Sequence, residues 1–150
     1  MKAELRRILM AEDSENDVEL TLAALAEHGV VNQVDVARDG EEALDYLYCR
    51  GAYEGRTPGN PIVLLVDLKM PKVDGLEVLR KVKSDPALRS IPVVMLTSSR
   101  EEGDLLRSYE LGVNAYVVKP VEFSDFVSAV RQLGGFWALV NETPHTKAAH

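Results

Sequence analysis

Five apolar runs punctuate the chain, and helical periodicity fills the intervals between them. Ile8 to Ala11, Ile62 to Val66, Ile91 to Leu96 and Ala115 to Val118 are almost unbroken, which suits strands covered on both faces as in a parallel sheet. Gln33 to Ala37 instead alternates Val34 and Val36 with polar neighbours, the pattern of an edge strand with one wet face. Ser14 offers a cap to a first helix carrying Val18, Leu22 and Leu25, with His28 in its last turn and Gly29 at its end. Asp39 with Glu42 resembles a capping box and opens a second helix whose inner face reads Ala43, Leu44, Leu47 and Tyr48. After the glycine- and proline-rich loop from Gly51 to Pro61, a third helix follows Asp74-Gly75 with Leu76, Leu79 and Val82 on one face. Ser99 and Glu102 suggest another box, before a fourth helix with Leu105, Leu106 and Tyr109 that Gly112 ends. A fifth begins near Val121, with Phe123, Phe126, Val127, Val130 and Leu133 at helical spacing. Strands alternating with helices predict parallel strands joined by right-handed crossovers, hence an α/β fold built as a three-layer α/β/α sandwich.

Composition narrows the picture further. A chain of 150 residues fits one domain, expected over 1–141, with a polar tail at 142–150. The formal net charge of −7 argues against a nucleic-acid binder, which needs clustered Lys and Arg. The single cysteine, Cys49, excludes an internal disulfide, suits a reducing cytoplasm and reads as a small hydrophobe in a helical pattern. No run approaches the roughly 18 apolar residues of a membrane span, so a cytoplasmic protein without a membrane partner is expected.

The chemistry gathers where strands end. Four of the five terminate in reactive types: Glu12-Asp13, Asp67, Thr97 and Lys119. In open α/β sheets those carboxyl ends converge on one rim, where ligands bind. Crowded carboxylates repel one another and call for a cation. Oxygen ligands without His or Cys suit Mg²⁺, while Lys119 and the Thr97 hydroxyl suit phosphate oxygens. No glycine-rich loop followed by Lys-Ser or Lys-Thr is present to cradle a nucleotide, so a phosphoryl group is expected to arrive on a donor.

The succession Glu12-Asp13, Asp67 with Met70-Pro71 and Asp74-Gly75, Thr97-Ser98, and Lys119-Pro120 resembles the receiver domain of two-component response regulators, from about Leu5 to Leu133. The loop Tyr53 to Pro61, the phrase Ser108 to Asn114 and Phe136-Trp137 resemble stand-alone receivers that partner bacterial phytochrome histidine kinases. The resemblance implies a five-stranded parallel sheet in the flavodoxin-like order 2-1-3-4-5. It implies that Asp67 takes a phosphoryl group from a histidine kinase or a histidine phosphotransfer protein. Asp13 and Asp67 would ligate Mg²⁺, with Glu12 acting through water and the Lys69 backbone carbonyl as a further ligand. Thr97 and Lys119 would contact the phosphoryl oxygens, and Tyr116 would follow Thr97 as an aromatic switch. Pro120 would follow a cis peptide. Such a protein is a signalling phosphoacceptor rather than an enzyme, signalling through protein contacts, and a homodimer seam including Phe136 and Trp137 is expected.

Two other classes share parts of this pattern. A flavin mononucleotide binder uses the same sheet order, but three acids at the rim oppose an anionic cofactor. A Mg²⁺ phosphohydrolase with an aspartyl nucleophile commonly places a second carboxylate just after it, where this chain has Lys69.

Overall fold

Parallel strands alternating with helices are what the computed structural model contains; it describes residues 7–27, 30, 32–97 and 102–118. The elements are β1 (Ile8–Ala11), α1 (Glu15–Glu27), β2 (Val34–Ala37), α2 (Gly40–Tyr48), β3 (Val63–Val66), α3 (Gly75–Ser84), β4 (Val93–Thr97), α4 (Glu102–Glu110) and β5 (Ala115–Val118). The strands form one sheet in the order β2-β1-β3-β4-β5, every neighbouring pair parallel, as expected. The expected fifth helix, Pro120, Phe136, Trp137 and the boundary near residue 141 lie outside the described residues.

Strand periodicity sorts the apolar residues into two cores. Leu9, Ala11, Leu64, Val66, Val93 and Met95 face one side, packed with Ala43, Leu44 and Leu47 of α2 and Val78, Leu79 and Val82 of α3. Ile8, Met10, Val63, Leu65, Val94 and Leu96 face the other, packed with Val18 and Leu25 of α1. Each Val, Leu, Ile or Met among them, fully buried, contributes about 1.5–3 kcal/mol. With apolar layers on both faces, the sheet can leave its carboxyl edge to polar chemistry.

Capping fixes where the helices begin. Ser14 Oγ accepts the Asp17 amide at 3.3 Å, Asp39 accepts the Glu42 amide at 2.7 Å, and Asp74 accepts the Glu77 amide at 2.9 Å. These caps place the starts of α1 and α2 just beyond the carboxyl ends of β1 and β2, and the start of α3 at the end of the loop that follows β3.

Two local expectations change, at Tyr48 and at Cys49, and α4 turns its apolar residues outward. In α2, Tyr46 is buried and Tyr48 exposed, because the Tyr46 hydroxyl is drawn inward to Asp35 on β2, while that of Tyr48 reaches Asp85 at 2.6 Å. In α4, Leu105, Leu106 and Tyr109 are exposed, and Ser108 is buried with its hydroxyl donated to the Asp104 carbonyl at 2.9 Å. Apolar spacing identifies a helix face but not which face a neighbour covers. Cys49 does not continue α2: it is the left-handed cap at φ 53°, and its amide turns back to the Tyr46 carbonyl at 3.2 Å.

The loop after α2 has structure of its own. It opens with a 3-10 turn at Gly51–Tyr53, and Arg56 pins its far side. The Arg56 guanidinium lies 4.0 Å from the Tyr46 ring centre and donates to the Tyr46 carbonyl at 2.8 Å. Tyr53 meets the same ring edge-on at 5.1 Å and donates to Glu42 at 2.8 Å.

Candidate functional site

The register of the central strands assembles the rim. Ala11 pairs with both Ala37 and Val66, so the residues following Ala11 and Val66 leave the sheet side by side. The ladder runs one step further: the Glu12 amide donates to the Ala37 carbonyl and the Asp67 amide to the Ala11 carbonyl, each at 2.9 Å. Asp67 therefore stands one residue beyond β3, still tied to the sheet.

Glu12, Asp13 and Asp67 each offer a carboxylate oxygen within 4.8 Å of the others. Glu12 is 1% exposed and Asp67 8%, while Asp13 is open to solvent. Two carboxylates at that separation repel by about 3 kcal/mol at an effective dielectric near 20. Glu12 accepts the Ser14 amide at 3.1 Å, which ties its side chain to the approach to α1. A half-open set of hard oxygen donors of like charge fits a divalent cation that favours carboxylates, Mg²⁺ among them.

The loop from Leu68 to Asp74 is clamped around this cluster. Leu68 and Met70 are buried in the core, and the Gly75 amide bonds the Leu68 carbonyl at 2.9 Å. A Cβ on Gly75 would overlap the Asp67 carbonyl oxygen and sit 2.8 Å from Leu68 Cα, so only glycine lets α3 start this close. A Cβ on Gly40 would likewise overlap the Val73 carbonyl, 2.8 Å from the Val73 Cβ. Lys72 adopts φ 65° and reaches the Asp39 carboxylate at 3.6 Å. Lys69 is exposed, its ammonium 3.9 Å from Asp104 in the first turn of α4.

The remaining expected residues divide. Thr97 closes β4, its Cα in register with Val118 at the end of β5. Tyr116 on β5 is half-buried against the core layer that contains Met95. Lys119 lies outside the described residues, directly after β5. The sequence reading missed Asp104 and the Lys72–Asp39 pair, because each partner lies more than thirty residues from its lysine and carries no local signal. Asp74-Gly75 was legible as a turn, not as the point where α3 touches the backbone of Asp67.

Comparisons with known proteins agree with this geometry. The model of the response regulator receiver domain matches residues 8–131. The chain is 39% identical over 130 residues to the response regulator Rcp1 of Synechocystis sp., covering 87% of each chain. A solved Mn²⁺-bound form of Rcp1 superposes with a TM-score of 0.73 at 38% identity, over 89% of this chain and 94% of that one. The structure of the bacteriophytochrome response regulator AtBRR matches with a TM-score of 0.84 and 64% identity, over 93% of this chain and 99% of that one. The phosphorylated cyanobacterial phytochrome response regulator RcpA matches with a TM-score of 0.74 and 41% identity, over 90% and 94%.

Proposed function

Since the chain belongs to the response regulator receiver family, we propose that it is a signalling protein switched by a phosphoryl group accepted on Asp67. The observation that carries this reading is the gathering of Glu12, Asp13 and Asp67 within 4.8 Å at the carboxyl ends of β1 and β3. An Asp67 oxygen attacks the phosphorus of a phosphohistidine, the phosphorus–nitrogen bond breaks, and its electron pair leaves with the imidazole. The protein's part in such a transfer is alignment and charge neutralisation. Sheet hydrogen bonds and the close seat of α3 at Gly75 hold the Asp67 backbone still. Asp13, Asp67 and the Lys69 carbonyl would hold Mg²⁺, with Glu12 acting through water, and the bound ion would neutralise charge on the transferring oxygens. Thr97 and Lys119 engage the phosphoryl oxygens, and Tyr116 responds to Thr97.

The donor is a histidine kinase or phosphotransfer protein of the bacteriophytochrome type, a reading supported by the likeness to AtBRR and RcpA. The receiver domain occupies 1–141, acts in the cytoplasm, and passes its signal through protein contacts, with Phe136 and Trp137 in a homodimer seam. Among the described residues no helix is long and apolar enough to cross a membrane.

Incubation with acetyl phosphate and Mg²⁺ followed by intact mass measurement tests the assignment. One phosphoryl group is expected on the wild-type chain and none on Asp67→Asn. Undiminished labelling of Asp67→Asn would refute it.

A further inference from the structure

The phosphoacceptor loop carries two lysines, and each leans on an acid from a neighbouring element: Lys72 on Asp39, the cap of α2, and Lys69 on Asp104, in the first turn of α4. Lys72 belongs to the packing of the loop, since Asp39 also caps its helix. Lys69 is different. Its side chain is 70% exposed, whereas that of Asp104 is 17% exposed, so a mobile cation rests against a held acid. An exposed pair of this kind is weak and easily exchanged. Lys69 stands two residues after Asp67, and its flexible four-carbon stem ends in three donors.

We propose that Asp104 is a positioning residue that draws the Lys69 ammonium away from the acceptor, and that a phosphoryl group on Asp67 competes for the same ammonium. This rests on Asp67 being the acceptor. A phosphoryl group carries more negative charge than one carboxylate and three strong acceptor oxygens. Once it is in place, Lys69 is shared between it and α4. Loss of the group is a hydrolysis. A water oxygen bonds to phosphorus, and the bond from phosphorus to the Asp67 oxygen breaks with its electron pair returning to the carboxylate. The water proton goes to solvent, leaving inorganic phosphate. The water arrives in line with the breaking bond, from the open side of the site. A lysine engaged on the phosphoryl oxygens obstructs that approach; a lysine held by Asp104 does not. Asp104 thus sets the lifetime of the phosphorylated state through Lys69 without touching the reacting atoms.

A double-mutant cycle on the full chain decides the matter. The wild type, Asp104→Asn, Lys69→Ala and the double variant are loaded with acetyl phosphate and Mg²⁺, freed of donor, and followed by intact mass over time. All four keep the Lys69 backbone carbonyl. Asp104→Asn should lengthen the phosphoryl lifetime about two- to fivefold, an effect the size of a modest pair coupling. Lys69→Ala should shorten it, and the double variant should match Lys69→Ala alone. The Asp104→Asn effect should also shrink as salt is raised. Normal loading with an unchanged lifetime in Asp104→Asn, a shortened one, or the same lengthening in the Lys69→Ala background overturns the proposal alone. Failure of the wild type to load overturns the assignment of Asp67 and this proposal with it.

Discussion

At the carboxyl rim acid meets acid, whereas along the flank between β2 and α2 acid meets base. Glu12, Asp13 and Asp67 crowd within 4.8 Å of one another. On the flank, Asp35 receives the Arg7 guanidinium at 2.9 Å and the Tyr46 hydroxyl, Glu42 receives Tyr53, and Arg56 stacks on Tyr46. Both regions are polar and partly buried, and both adjoin the same sheet. The flank is arranged so that each named group stabilises its neighbours, which makes it a brace for the long loop. The rim stores repulsion that, on the function proposed, a cation and then a phosphoryl group would exploit. Polar content alone does not mark a working site; a like-charge cluster held in place by the fold does.

The sharpest way to break this contrast is at Asp67. Asp67→Asn should abolish labelling by acetyl phosphate entirely while leaving a folded chain. Next in size, Gly75→Ala should destabilise by about 2–4 kcal/mol in urea unfolding, because its methyl group meets backbone rather than a movable side chain. Asp35→Ala on the flank should cost about 1–3 kcal/mol, since it strips partners from Tyr46 and Arg7. Glu12→Gln at the rim should do the reverse without metal, stabilising by about 1 kcal/mol as repulsion with Asp67 falls. It should also weaken the rise in Tm expected of the wild type when Mg²⁺ is added. If both substitutions shift stability in the same direction, the contrast fails.

The smallest effect concerns alkaline pH. Burial, then the hydrogen bond to Glu42, pushes the Tyr53 phenol up to about 12, and burial followed by Asp35 raises Tyr46 as well. The folded state holds these protons more tightly than the unfolded chain, whose phenols ionise near 10. Their contribution is therefore complete below about pH 10 and is lost as pH rises toward about 12. The urea midpoint of Tyr53→Phe should fall less steeply than that of the wild type across that window.

Much of this was written in local pattern. Continuous apolar runs fixed the positions of β1, β3, β4 and β5, since a parallel sheet covered on both faces needs both sides of each strand to be apolar. The caps at Ser14, Asp39 and Asp74 were legible because capping is a contact between residues three apart. The acids of the rim were legible because the fold class sends strand ends to one edge. Long-range partnership was not. Nothing near Tyr46 in sequence says that it turns inward to Asp35 while Tyr48 turns out, nor that Asp104 stands beside Lys69. Periodicity reports which residues share a face. Which face is covered, and which charge meets which, depends on the register of strands and the docking of helices, and those are settled only when distant segments pack together.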